Sequence, residues 1–156
     1  NLNCAVHKHE GEADFLCNSG YTEMLSGLKE SYDERHLKRL NDENKHMGGR
    51  TDCIKVRTRT LEYICDVYKV NHVHYLSIDV EGAEFDVIQS INFDKVFIDV
   101  IGFENNYNDN SIPIIKYLEN YNFTILKNNK NRLDIFMINK KSSFYQEEKL
   151  KKNNLI

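Results

Sequence analysis

The sequence predicts an α/β fold with a mostly parallel sheet, and three observations support this prediction. Strand-like apolar runs alternate with stretches whose apolar residues recur at helical spacing, the pattern of parallel strands joined by helices. In one run, residues 72–80, nearly every position is apolar or tolerable in a core, and a second run, residues 95–103, is almost continuously apolar, as expected for strands covered on both faces. Residues 122–126 and 133–139 flank a turn rich in Asn and Lys, which predicts a closing antiparallel hairpin.

Composition limits the classes of partner. The chain has 156 residues, enough for one domain with a hydrophobic core. Hydrophobic residues make up 40% and charged residues 29%, as in soluble globular proteins. The net charge of −3 gives no reason to expect a nucleic acid, and no apolar run approaches the roughly 18 residues needed to span a bilayer. We expect a cytoplasmic protein with neither a nucleic-acid nor a membrane partner.

The four cysteines are widely spaced and form no C-x-x-C pair, so a zinc site built on them is not expected. Three of them lie in apolar-rich runs, which predicts buried free thiols in a reducing compartment. The cysteines are Cys4, Cys17, Cys53 and Cys65.

The first part of the chain predicts short strands around one polar helix. Residues 24–49 hold too few apolar residues for a core helix, but residues 31–44 offer i,i+4 ion pairs that suit a solvated helix. Gly48 and Gly49 end it. The first two strands are expected to form a hairpin or to lie on adjoining edges. The expected strands are residues 1–6, 12–17 and 53–58.

The second part predicts the alternation of helices and strands. Thr60 is a plausible N-cap for a helix over residues 61–68. Ser111 should cap a further helix, with Pro113 in its first turn. The remaining expected elements are a helix over residues 83–91, a loop over 105–110 and a charged, solvated tail from 140 onward.

Carboxylates stand where the two apolar strands end. Asp79 and Glu81 follow the central strand just before a turn at Gly82, and Glu104 follows the next strand. In an α/β sheet the carboxyl ends of neighbouring strands form a ligand crevice, so the three groups are expected to converge. They could accept hydrogen bonds, act as a general base or hold a hard cation. The alternative is that Glu81 and Glu84 only stabilise the helix N-terminus.

Two H-x-H pairs, His7 with His9 and His72 with His74, could each place two imidazoles on one strand face and chelate a metal. Five residues of strand separate His74 from Asp79, about 16 Å, so the second pair lies far from the carboxylates. We interpret all four as ordinary surface or half-buried histidines and expect no metal site. No glycine-rich phosphate loop and no G-x-S-x-G motif occurs in the sequence.

The string YLSIDVEGAEFDVIQSI, residues 75–91, resembles the signature "lkiDvEGaElevl" of FkbM-type methyltransferases. Further blocks agree in order. NCAVHKHEGEADF resembles the family's "N-x-A-V-S-D-x-x-G-x-x-x-F", with His7 in place of the serine, and MLSGL resembles its "S-x-L" stretch. VRTRTLEYI, VFIDVIGFE, FTIL and DIFMINK are similar to the blocks that follow, so the resemblance covers residues 3–140.

This resemblance implies an enzyme dependent on S-adenosylmethionine, with the Rossmann-like class I methyltransferase fold. Residues 1–140 would be a partial methyltransferase domain and residues 141–156 a charged tail. The family's first strand, its glycine-rich loop and the acidic residue ending its second strand would precede Asn1. We therefore expect a sheet that is interrupted within this chain, and weak cofactor binding by the chain alone.

The resemblance also implies roles for individual residues. Asp79 or Glu81 would remove the hydroxyl proton of the methyl acceptor or orient the acceptor, and Glu104 would face it. The family's usual reaction is O-methylation, often of a sugar or another hydroxyl-bearing acceptor. The residues expected to bind the cofactor are Asn3, Ala5, Val6, Asp79 and Val80.

Two other functions stay open at this point. One is a hydrolase that holds Mg²⁺ with Asp79, Glu81 and Glu104. The other is a Rossmann-like remnant without catalysis that serves as an interaction module.

Overall fold

The computed structural model describes residues 1–105, 108–126, 134–153 and 155–156, without the side chains of residues 108–110 and 148. Strands and helices alternate, which confirms the α/β class. The chain divides into two compact units. The first is Asn1–Leu61 with Val80–Ser90, and the second is Glu62–Asp79 with Ile91–Ile156.

The first unit contains a four-stranded sheet with the order β1-β4-β2-β3. β2 pairs antiparallel with β4 along its whole length, from Gly11 opposite Thr58 to Ser19 opposite Arg50. β1 pairs with the other edge of β4 and runs parallel to it, so the expected pairing of the first two strands is wrong. The elements are β1 (Ala5–Val6), β2 (Gly11–Ser19), β3 (Gly27–Leu28), α1 (Glu34–Met47), β4 (Arg50–Arg59) and α3 (Glu84–Gln89).

Helix α1 is more than the solvated helix that the sequence predicts. Its outer residues are charged, but Leu40 is only 3% exposed and forms a buried cluster with Leu16 and Leu25, against which Tyr32 packs. The helix ends at Gly48, whose positive φ of 80° suits glycine. A few well-placed apolar side chains therefore suffice to dock a helix of otherwise polar composition.

We predict that Asp33→Ala destabilises the protein by about 1 kcal/mol at neutral pH, because the Asp33 side chain caps α1 by accepting the backbone N–H of His36 at 2.9 Å. That hydrogen bond, helped by the Arg35 guanidinium, lowers the pKa of Asp33 to about 2. A depressed pKa means that the stabilisation is complete above the ordinary pKa and is lost as the pH falls toward 2.

Urea unfolding across this pH range measures the effect. Asp42→Ala, which removes an exposed carboxylate from the middle of the same helix, is the control and should cost much less. Equal losses for the two variants, or a loss for Asp33→Ala that does not shrink in acid, would contradict the capping role.

The second unit contains a four-stranded sheet with the order β5-β6-β8-β7. β5 and β6 are parallel, whereas β6 pairs antiparallel with β8 and β8 with β7. The predicted closing hairpin is confirmed, and its turn, residues 127–133, lies outside the described residues. The elements are α2 (Leu61–Tyr68), whose first residue belongs to the first unit, β5 (His72–Ile78), β6 (Phe97–Glu104), α4 (Asn108–Glu119), β7 (Phe123–Leu126), β8 (Asp134–Asn139) and α5 (Glu147–Lys152).

The sheets are mixed rather than mostly parallel. Among the described residues each sheet has one parallel pair of strands, and the other four pairs are antiparallel. β5 is an edge strand of its sheet, and Tyr75 in its middle is 52% exposed. The prediction that this strand is covered on both faces is therefore wrong for this chain. β6 does lie inside its sheet, with Ile98 and Ile101 fully buried.

Two further expectations need correction. α4 begins at Asn108, so Ser111 does not cap it and Pro113 lies beyond its first turn. Cys17 and Cys53 are exposed and Cys4 is half-buried, which leaves Cys65 as the buried thiol, although all four are free as expected. None of the helices in the part of the chain that the structure describes is long and apolar enough to cross a bilayer.

Candidate functional site

Three carboxylates lie side by side in the second unit, where β5 and β6 end. The parallel register sets Ile78 opposite Phe103, so Asp79 and Glu104 are the next neighbours along the two strands. An oxygen of one carboxylate lies within 4.8 Å of an oxygen of the other. Glu104 in turn pairs with Asp134, the first residue of antiparallel β8. The expected approach of Asp79 and Glu104 is thus found, and Asp134 joins them.

These carboxylates line a cavity of about 190 Å³. Tyr75 and Phe136 stack at its side, with ring centroids 6.4 Å apart. Gly102 leaves room for this stack, because a Cβ there would lie 2.7 Å from the Tyr75 hydroxyl and 2.9 Å from the Phe136 ring. Ligand pockets usually measure about 300–1,000 Å³, so this cavity fits one functional group of a ligand, such as a hydroxyl or an ammonium.

Glu81 belongs to the first unit and is half-buried there. Its φ is +51°, unusual for a residue other than glycine, and Gly82 follows at +101°. A Cβ added at Gly27 would lie 3.4 Å from the Cβ of Glu81. Burial, together with the negative charge of Glu81, raises the pKa of the Tyr32 hydroxyl to about 12. The turn therefore directs Glu81 toward the segment that holds Gly27 and Tyr32.

Glu84 has the structural role that the sequence left open. Its Oε1 accepts the backbone N–H of Val80 at 3.3 Å and of Gly82 at 3.1 Å, and the side chain is buried. These bonds hold the turn ahead of α3 in place, so helix stabilisation accounts for Glu84.

The other residues expected to bind the cofactor also belong to the first unit. Asn3 is exposed, whereas Ala5 and Val6 are half-buried on β1 and pair with Thr58 and Arg59 of β4. Val80 is half-buried and contributes its backbone N–H to the turn above. Their roles toward a cofactor stay predictions.

His7, which stands where the family pattern has serine, is buried among charges. Its Nε2 lies 3.0 Å from Oε1 of Glu30 and 3.3 Å from Oδ2 of Asp86, and Lys8 also pairs with Asp86 at 2.9 Å. His7 therefore lies close to carboxylates of α3 and of the segment after β3, but its buried Nε2 makes no hydrogen bond to either. The sequence carried no signal for this network beyond the histidine itself.

A larger cavity of about 600 Å³ lies in the first unit beside His7 and β2. Its lining mixes charges of both signs, including an ion pair of 2.7 Å between Lys55 and Asp14. The other charged side chains of its lining are Glu10, Glu12, Lys29 and Glu30.

Comparison with known proteins gives one family. The model described as Methyltransferase FkbM domain matches residues 1–125, about four fifths of the chain. No curated protein and no solved structure gives a significant match.

Proposed function

The chain belongs to the methyltransferase FkbM domain family, and from this membership we propose that it transfers a methyl group from S-adenosylmethionine to a hydroxyl oxygen. Membership supports a methyltransferase in general terms. The observation that carries the finer proposal is the cavity of three adjacent carboxylates, Asp79, Glu104 and Asp134, at the carboxyl ends of β5 and β6. The acceptor would be a small molecule or a glycan.

The carboxylates of the cavity suit the proposed cofactor. S-adenosylmethionine carries a positively charged sulfonium and an ammonium group, and carboxylates are the side chains that pair with such groups. Asp79 is exposed and Glu104 half-buried, so a bound ligand can reach their oxygens. When bound, S-adenosylmethionine supplies an electrophilic methyl group. The residues that we propose to hold it are Asn3, Ala5, Val6, Asp79 and Val80.

We propose that Asp79 accepts the proton of the acceptor hydroxyl at a carboxylate oxygen. Methyl transfer is an in-line displacement, so the protein mainly aligns the reacting oxygen and increases its nucleophilicity. Glu104, within 4.8 Å of Asp79, would accept a second hydrogen bond and fix the direction of approach. Glu81 stays the alternative that the family resemblance implies, either as the base or as a group that orients the acceptor.

The order of the second sheet supports a Rossmann-like class I methyltransferase fold. The parallel pair of β5 and β6 is followed in the sheet order by the antiparallel hairpin, whose strand β8 lies next to β6 and whose strand β7 forms the edge. In open α/β sheets, ligands bind outside the carboxyl ends of the parallel strands, which is where Asp79 and Glu104 lie.

We predict that the full-length protein binds S-adenosylmethionine, measured by isothermal titration calorimetry. The product S-adenosylhomocysteine should compete for the same site, and labelled methyl groups should appear on hydroxyl oxygens of a glycan mixture. Absence of binding at millimolar S-adenosylmethionine would overturn the proposal. Hydrolysis that requires Mg²⁺, without methyl transfer, would favour a carboxylate–metal hydrolase instead.

A further inference from the structure

A second group of side chains lies at the amino-terminal end of β5, and the proposed methyl transfer does not use it. His72 and His74 are two residues apart on this strand, so their side chains leave the same face of the sheet. Val73 lies opposite Ile98 of β6 and Tyr75 opposite Val100, which places His74 beside Asp99. This end of the strand is about 16 Å from Asp79.

Asp99 is a buried carboxylate that already faces a histidine. It is only 1% exposed, and its Oδ2 lies 2.7 Å from Nε2 of His72. Its Oδ1 accepts the hydroxyl of Ser142. Burying a charge is costly unless it is paired, so this carboxylate requires a positive or hydrogen-donating partner. The Ser142 bond fixes its orientation and leaves Oδ2 directed toward the imidazoles.

The two imidazoles lie together at the surface. Their ring centroids are 4.5 Å apart, the side chain of His72 is 45% exposed, and His74 is exposed as well. Each neutral imidazole has one nitrogen lone pair that can bind a metal ion. Phe97 packs against His72 at 5.4 Å and Phe144 against His74 at 6.1 Å.

We propose that His72, His74 and Asp99 bind a divalent transition-metal ion, with Zn²⁺ as the ion to test. One ligand atom from each of the three residues lies within 4.8 Å of the others. Imidazole nitrogen and carboxylate oxygen bind Zn²⁺ at about 2.0–2.2 Å, so tetrahedral ligands are about 3.4 Å apart. Nε2 of His72 and Oδ2 of Asp99 are only 2.7 Å apart, so they would separate slightly as the ion replaces the hydrogen bond between them. Rotation of the exposed imidazoles allows this change. Solvent would occupy the fourth position, because both histidines are exposed.

The surroundings match those of protein metal sites. Carboxylate ligands are normally held by a further hydrogen bond, which Ser142 provides, and the rings of Phe97 and Phe144 pack against the two imidazoles. Ser142 and Phe144 lie beyond residue 125, where the family match ends. The ion would join β5 to β6 and, through Ser142, to the segment after β8. Its role would be to stabilise this unit.

Calorimetric titration of the tag-free full chain with Zn²⁺, after chelator treatment and with Mg²⁺ in excess, tests the proposal. We expect one ion per chain with micromolar affinity or better, and a Tm that rises with Zn²⁺ because the ion binds the folded state. His74→Ala and Asp99→Asn should each weaken binding more than about 10-fold, the effect of losing even an outer-shell partner. His9→Ala, from the other H-x-H pair, should bind as the wild type does.

Because His74 is exposed, its replacement should leave the metal-free Tm unchanged, so lost binding is not a folding defect. Co²⁺ provides a second readout, since a low-coordinate site with nitrogen ligands gives a visible absorption band that His74→Ala should abolish. The proposal fails if Zn²⁺ does not bind at submillimolar concentration. It also fails if His74→Ala or Asp99→Asn binds Zn²⁺ as tightly as the wild type.

Discussion

Asp79→Asn is expected to lower kcat for methyl transfer at least about 100-fold, because a positioned general base typically contributes about 10²–10⁴-fold. Asparagine keeps the shape of the side chain but cannot accept a proton. Asp79 is exposed at the end of β5, so the free energy of unfolding should change by less than about 0.5 kcal/mol. Transfer of a labelled methyl group and urea unfolding measure the two quantities.

Asp94→Asn is the matched control for this prediction. It also removes one exposed carboxylate from the second unit, but it precedes β6, at the opposite end of that strand from Glu104. It should retain the wild-type kcat, which would exclude an effect of net charge. Wild-type turnover by Asp79→Asn would give Asp79 a structural role. If kcat of Asp79→Asn is reduced by the same factor at higher pH, Asp79 orients the acceptor and does not act as the base.

Local features of the fold could be predicted because they depend on neighbours along the chain. Helix α2 occupies the predicted residues, since its apolar side chains repeat at helical spacing over one short stretch. The partners of the strands could not be predicted in this way. β1 pairs with β4 about fifty residues later, and no pattern within either strand encodes that choice. The exposure of β5 likewise depends on which strands flank it.

The candidate site was predictable to the same extent. Asp79 and Glu104 were found because each directly follows an apolar strand, and the ends of parallel strands meet at one edge. Asp134 was missed because it begins a strand of the hairpin, and only the register with Glu104 brings it to the cavity. Asp99 was missed for a different reason. It lies within an apolar run, where the sequence predicts core rather than a metal ligand.

Gly82→Ala is expected to destabilise the protein by about 2–5 kcal/mol. Gly82 has a φ of +101°, which a residue with a Cβ adopts at a cost of about 1–2 kcal/mol. A Cβ there would lie 2.8 Å from the backbone carbonyl oxygen of Ser31, and overpacking of this kind costs about 1–3 kcal/mol more. The carbonyl belongs to the main chain and cannot swing away as a side chain would. Urea unfolding measures the loss.

Gly48→Ala separates the cost of the positive φ from the cost of the close contact with Ser31. Gly48 also has a positive φ, +80°, but nothing lies within 4 Å of the position its Cβ would take. It should therefore lose only the backbone term, about 1–2 kcal/mol. A clearly larger loss for Gly82→Ala would mean that the glycine of the D-V-E-G block lets the chain pass close to Ser31 while Glu81 keeps its direction. Equal losses would show that the close approach to Ser31 contributes nothing.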